Sequence, residues 1–223
     1  MAFSPLLVLA PVVPAVADRY GLPRRCAAPG AVALTFDDGP HPEGTPRVLE
    51  ILAEHGARAT FFLIGEQVER RPALAVQIAA AGHVVALHAH RHRCQLRLTR
   101  GQLAEDLERG AHAIASATGV EPDLHRPPYG IYSAEGLKLA RSRYAPILWS
   151  RWGKDWRRLT TPARIAARAG DRLAPGDVIL LHDADFYSSR GSWRRTVAAL
   201  PSILRSASMD RLSLVPLFRD ELG

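Results

Sequence analysis

The chain has 223 residues, 47% hydrophobic and 23% charged, with a formal net charge of +7. That apolar fraction excludes a disordered chain and supports one substantial core, and two cysteines outside any CxxC pair exclude a disulfide framework or zinc ribbon. Arginine supplies all but two (Lys138 and Lys154) of the 29 basic residues, and the densest run, Arg91 to Arg100, holds no aromatic residue, so no nucleic-acid partner is expected.

Residues 1–30 read as an apolar arm or targeting segment. Ala2 to Ala17 is uncharged but short for a membrane span, and Pro5, Pro11 and Pro14 oppose a regular helix. Ala15-Val16-Ala17 resembles a small-residue cleavage site, yet no basic residue precedes it. An atypical signal, a remnant of a longer segment and an arm packed on the domain all stay open, and membrane association through this arm stays open with them.

Residues 31–223 alternate between strand and helix patterns. Ala31 to Phe36 predicts a strand. Pro46 to His55 predicts a helix that Gly56 ends. Ala57 to Ile64 is a second strand, Glu66 to Ala81 a helix stopped by Gly82, and His83 to Leu87 a third strand. Thr99 and Gln102 form a capping box that opens a helix to Thr118, with Gly119 after it. Asp123 to His125 predicts a short strand, Ser133 a helix cap, and Ala145 to Trp149 a fifth strand. Pro162 to Leu173 is helical, Asp177 to Leu181 a sixth strand, Ser192 to Ser206 a helix and Leu212 to Leu217 a last strand. The strands are apolar on both faces, as buried parallel strands are. Such alternation predicts an α/β barrel, closed or nearly so, with a doubly wound open sheet as the competitor.

Polar residues gather at the C-terminal ends of these strands, where such barrels build their sites. Asp37 and Asp38 follow the first strand, His88 and His92 the third, Arg126 the fourth, Asp155 the fifth, and His182 ends the sixth. Of two adjacent carboxylates, one can bind a metal while the other stays free as a base. His88 and His92, spaced i and i+4, lie on one side of a helical turn and can chelate a divalent ion; His90 then points away. Two His and one Asp make an open site that suits zinc best, with Co2+ or another transition ion also compatible. Cys94 is expected to be a buried, inert thiol. The rigid Arg126-Pro127-Pro128-Tyr129-Gly130 turn can present N–H groups to an oxyanion, and Arg126 can pair with a carboxylate. His182 is expected to donate a proton. Asp185, Tyr187 and Trp193 are candidates to line the groove.

Thr35-Phe36-Asp37-Asp38-Gly39-Pro40, His88-x-x-x-His92, Arg126-Pro127-Pro128-Tyr129, Asp155-Trp156 and Leu180-Leu181-His182 together resemble the polysaccharide deacetylases of carbohydrate esterase family 4, the NodB-homology domain, from about Ala31 to Phe218. The resemblance implies a distorted (β/α)7 barrel of the NodB-homology type and a metal-dependent hydrolase that removes N-acetyl groups from chitin- or peptidoglycan-like glycans. It implies Asp37 as base, Asp38, His88 and His92 as metal ligands, and His182 as acid. It further implies Arg126 as the partner of Asp37, Asp155 as the partner of His182, and the Tyr129 N–H at the oxyanion. Leu180, Trp156 and Tyr129 are the implied substrate contacts. Two positions depart from the pattern: Ala89 stands where the family carries Ser or Thr, and His125 where an aromatic often precedes Arg-x-Pro. An O-acetyl esterase, a deformylase of a lipid-linked sugar, and a catalytically silent carbohydrate-binding domain are the competing expectations. A monomer acting at the cell envelope is expected.

Overall fold

The computed structural model describes residues 5–222; the first four residues of the arm and Gly223 lie outside them. Eight strands form one parallel sheet: β1 (Ala31–Asp37), β2 (Thr60–Ile64), β3 (Val84–Ala89), β4 (Leu124–His125), β5 (Ala145–Pro146), β6 (Arg151–Trp152), β7 (Val178–His182) and β8 (Ser213–Val215). Their order is β5-β4-β3-β2-β1-β7-β6, with β8 beside the first half of β1. The expected barrel is therefore left open between β5 and β6. The fifth strand stops at Pro146 rather than Trp149, and Arg151–Trp152, which the sequence did not single out, pairs with β7. Asp155 consequently follows β6 and not the fifth strand.

Residue alternation in β1 sorts two packing layers. Val32, Leu34 and Phe36 pack outward with Val48, Leu52 and Ile203, whereas Ala33 joins an inner cluster with Phe62, Leu124 and Leu180. The outward side chains are large, and the inward ones at 33, 35 and 37 are small or polar, because the barrel interior must hold a buried arginine. Helices α2 (Gly44–Glu54), α5 (Arg100–Thr118), α6 (Ala134–Arg141), α7 (Pro162–Gly170) and α8 (Ser192–Met209) connect the strands. Thr99 and Gln102 form the reciprocal cap expected of them, and Gly119 ends α5 at φ 72°. The helix expected over residues 66–81 is broken into α3 (Gly65–Arg70) and α4 (Pro72–Ala80). Pro72 lacks an amide hydrogen and disfavours helical geometry at Arg71 (φ −143°).

The arm is ordered against the barrel. Proline was expected to oppose helix here, but Pro5–Leu9 forms a 3₁₀ turn and Pro14 opens α1 (Pro14–Arg19), where its missing N–H costs nothing. Leu7, Ala17 and Leu22 are buried in the inner cluster. Beyond α1 the chain lies along the open side: Leu148 N–H donates to the Pro23 carbonyl (2.8 Å), and Arg24 Nε donates to the Trp149 carbonyl (2.8 Å). No described helix is long and apolar enough to cross a membrane.

Two glycines set how closely the helices approach β3. A Cβ on Gly110 of α5 would lie 2.7 Å from Leu87 Cδ1 and 2.8 Å from the His90 nitrogen, and one on Gly65 would lie 2.8 Å from the Gly110 Cα. Gly→Ala inside a helix ordinarily stabilises by about 1 kcal/mol. Here we predict the opposite sign: Gly110→Ala should destabilise by about 1–3 kcal/mol, the usual cost of overpacking, read from the denaturant midpoint.

Candidate active site

Asp37 ends β1 and Asp38 follows in a left-handed conformation (φ 79°), which short polar side chains tolerate better than most. That turn sends two like-charged neighbours to different partners. Asp37 Oδ1 accepts from Arg126 Nη1 at 2.8 Å. Arg126, fully buried, also donates to Thr35 Oγ1 (2.8 Å) and to the carbonyls of Ile147 and Leu148, and stacks over the Phe62 ring at 4.0 Å.

Asp38 faces the histidines. Its Oδ1 lies 3.4 Å from His88 Nε2 and 3.4 Å from His92 Nε2, and all three groups can offer ligand atoms within 4.8 Å of one another. The spacing of four works without the expected helical turn: His88 sits in β3, and His92 reaches back from the loop after it. His90 stays outside this group; its N–H donates to Asp106 Oδ2 (3.1 Å). Cys94 is partly exposed rather than buried, and both cysteines are free.

These residues fit a cation. His88 Nδ1 faces the Arg126 carbonyl at 2.7 Å and donates to it, which turns Nε2 towards Asp38. Burial, with the neighbouring His88 and His182, pushes His92 down to about 4 against the pull of Asp38, so its ring is neutral. Burial alone would raise Asp38, but its close approach to the His88 ring and the charge of His182 help hold its carboxyl at about 2. Asp38 Oδ1 is buried with no hydrogen-bond partner among the described residues. An ionised oxygen facing two imidazole nitrogens is a ligand set for a divalent ion.

Asp37 and His182 are register partners on β1 and β7. His182 Nδ1 lies 2.9 Å from Asp155 Oδ1, its N–H donates to Asp155 Oδ2 (2.7 Å), and Thr196 Oγ1 donates to the same oxygen (2.8 Å). Burial lowers the imidazole's affinity for a proton, but the Asp155 charge and hydrogen bond outweigh this and raise His182 from 6.5 to about 10. The raised value stabilises the fold fully below pH 6.5, and that contribution is lost as pH climbs through about 10.

A cavity of about 260 Å³ joins these groups, walled by Leu180, Trp149, Trp152, Trp156, Tyr129 and Tyr187. A larger surface hollow of about 670 Å³ lies between the arm and Ser150 and contains none of them. Trp156 stands edge-on to His182 at 5.6 Å. Tyr129 adopts φ 62°; the turn uses the N–H groups of Gly130 and Ile131, and the Tyr129 N–H has no acceptor among the described residues. Of the groove candidates, only Tyr187 lines this cavity. Asp185 is 3.3 Å from His41 Nε2, and Trp193 is buried 5.5 Å from the same ring. Sequence reasoning passed over Trp149 and Trp152, which stand near strand ends, and Asp183 beside His182. Burial raises Asp183 to about 7, and its carboxyl accepts from the Thr45 hydroxyl.

A family model described as polysaccharide deacetylase matches residues 24–144. The chain belongs to the polysaccharide deacetylase family. Membership makes it a hydrolase acting on N-acetyl amide bonds in a divalent-metal-dependent family, and the Asp38–His88–His92 cluster is a candidate site for such an ion. It is 37% identical over 190 residues to a chitooligosaccharide deacetylase of Sinorhizobium fredii, covering 82% of this chain and 88% of that protein. Its fold matches a peptidoglycan N-acetylglucosamine deacetylase, crystallised with 4-naphthalen-1-yl-N-oxidanyl-benzamide, with TM-score 0.82 and 28% identity over 90% and 92% of the two chains. A family pseudoenzyme from Bacillus anthracis matches with TM-score 0.77 and 26% identity over 87% of this chain and 66% of that one. The family's fold therefore does not by itself certify turnover, and the side chains must carry that argument.

Removing one partner of a buried ion pair strands the other charge. We predict that Arg126→Leu destabilises the protein by about 3–5 kcal/mol in urea unfolding, and that adding Asp37→Leu recovers most of the loss. Equal stability of the single and double variants would remove the pair from its structural role.

Proposed function

We propose that this protein removes N-acetyl groups from amino-sugar glycans of the chitin or peptidoglycan kind, with zinc at Asp38, His88 and His92. One observation carries the reading: Asp38 is turned onto two histidines, while its neighbour Asp37 is turned onto Arg126 and paired in register with His182. A pure binding module has no use for an acid and a base on adjacent strands around a ligand set.

When bound, the ion supplies Lewis acidity towards the acetamide carbonyl and lowers the pKa of water. The chain's own residues do the rest. Asp37 Oδ1 is held by Arg126, and the carboxylate, which lines the cavity, is the base that takes a proton from the attacking water. The Tyr129 N–H donates to the oxyanion that develops on the former carbonyl oxygen. His182, protonated and fixed through Nδ1 by Asp155, gives its Nε2 proton to the departing sugar amine. Leu180 and Trp156 enclose the acetyl methyl group and keep water from it. Water and acetamide become acetate and a free amine.

Residues 31–223 act as the catalytic unit, and the arm serves as its packed support. Every group invoked comes from one chain, which suits a monomer. Acetylated cell-wall polymers place the work at the envelope.

Acetate release from N-acetylglucosamine oligomers tests the reading. We expect release that a chelator abolishes and Zn2+ restores, and an Asp37→Asn variant that keeps the ion but loses about 10²-fold or more in kcat. An unchanged rate in that variant would take the base role from Asp37. The alkaline limb of the pH–rate profile tests the acid. Asp155 raises His182, so Asp155→Asn should move that limb towards acid pH by about 1–3 units.

A further inference from the structure

His88 and His92 are held differently. The His88 ring is oriented by a hydrogen bond from Nδ1 to the Arg126 carbonyl. His92 Nδ1 is buried with no partner among the described residues, although ligating imidazoles usually anchor that second nitrogen. Ala89, beside His88, brings no hydroxyl to the loop. What fixes the His92 ring is therefore packing. Tyr187 stacks on one face, with centroids 4.3 Å apart and planes 9° from parallel, and the Tyr129 ring meets it edge-on at 4.6 Å.

Tyr187 is itself anchored from across the barrel. It lies in the loop between β7 and α8, yet its hydroxyl donates to Glu66 Oε1 of α3 (2.9 Å) and accepts from Gln67 Nε2 (3.1 Å). Gln67 is buried and receives Arg71 Nη1 at 2.8 Å, and Arg70 lies 3.6 Å from Glu66. A loop that starts one residue after His182 thus crosses the site and lays a flat, braced ring on the histidine contributed by the loop after β3.

We propose that Tyr187 is the positioning residue for His92, replacing by stacking the hydrogen bond that His92 Nδ1 lacks. The inference rests on the Asp38–His88–His92 metal reading and adds a further residue to it. The planar face sets the ring angle at which Nε2 meets the ion, and the Glu66–Gln67 pair sets the position of that face. Tyr187 does not touch the ion.

The test compares Zn2+ affinity, by competition with a chromogenic chelator, in the full-length wild type, Tyr187→Phe and Tyr187→Leu. Leucine keeps apolar bulk so that the loop still packs, but it offers no flat face. The expected result is a loss of about 10–100-fold in affinity for Tyr187→Leu and about threefold or less for Tyr187→Phe. The visible spectrum of the Co2+-loaded protein should change in Tyr187→Leu alone, and raising Zn2+ should restore its kcat. Equal affinity in all three proteins would overturn the proposal, as would a raised KM with unchanged Zn2+ affinity, which would make Tyr187 a substrate contact only. A wild type that releases acetate and binds Zn2+, with Tyr187→Leu unchanged, sinks this inference and leaves the deacetylase reading standing. A wild type that binds no Zn2+ sinks both.

Discussion

A guanidinium buried without water is costly, and the Arg126 side chain is the largest of the fully buried ones. It is tolerated because every face is occupied: a carboxylate, a hydroxyl, two carbonyls and the Phe62 ring. That requirement shapes the barrel around it. Positions 33 and 35 of β1 must stay small to admit the side chain. Just past β5, the carbonyls of residues 147 and 148 turn inward to it, and the sheet opens there. The arm covers what that opening would expose.

The same guanidinium separates two aspartates that would otherwise repel. Once Asp37 is committed to Arg126, Asp38 is free to serve the histidines, and its left-handed backbone supplies the change of direction. Strand register then does the remaining placement. A parallel ladder sets Asp37 directly beside His182, so a carboxylate and an imidazole arrive as neighbours without any long-range adjustment. Asp155 keeps the imidazole charged while the apolar wall of Trp149, Trp152 and Leu180 limits the water that could dissipate these fields.

Much of this could be read from the residues because the signals were local. Capping at Thr99, the stop at Gly119 and the polar ends of β1, β3 and β7 follow from a few adjacent side chains. The failures have a common cause. β5 and β6 are two residues each, too short to leave a period, and their pairing depends on the partner strand. The His88–His92 spacing suggests a helix, but tertiary packing against Gly65 and Gly110 bends the chain instead. Thr196 reaches Asp155 across 41 residues, and Tyr187, legible as a groove residue, stacks on His92 from over 90 residues away; no pattern along the chain announces either contact. Proline opposes a helix interior, but at a first helical position, as at Pro14, it is compatible with helix.

The arm reaches further than its composition suggests. A side-chain carbon on Gly130 would meet Trp149 at 2.5 Å and Pro11 at 3.1 Å, so this apolar segment underlies the Pro128–Gly130 turn at the cavity. A change at Pro11 can therefore shift the Gly130 turn and the Trp149 wall of the cavity from outside, with every polar side chain at the strand ends left in place.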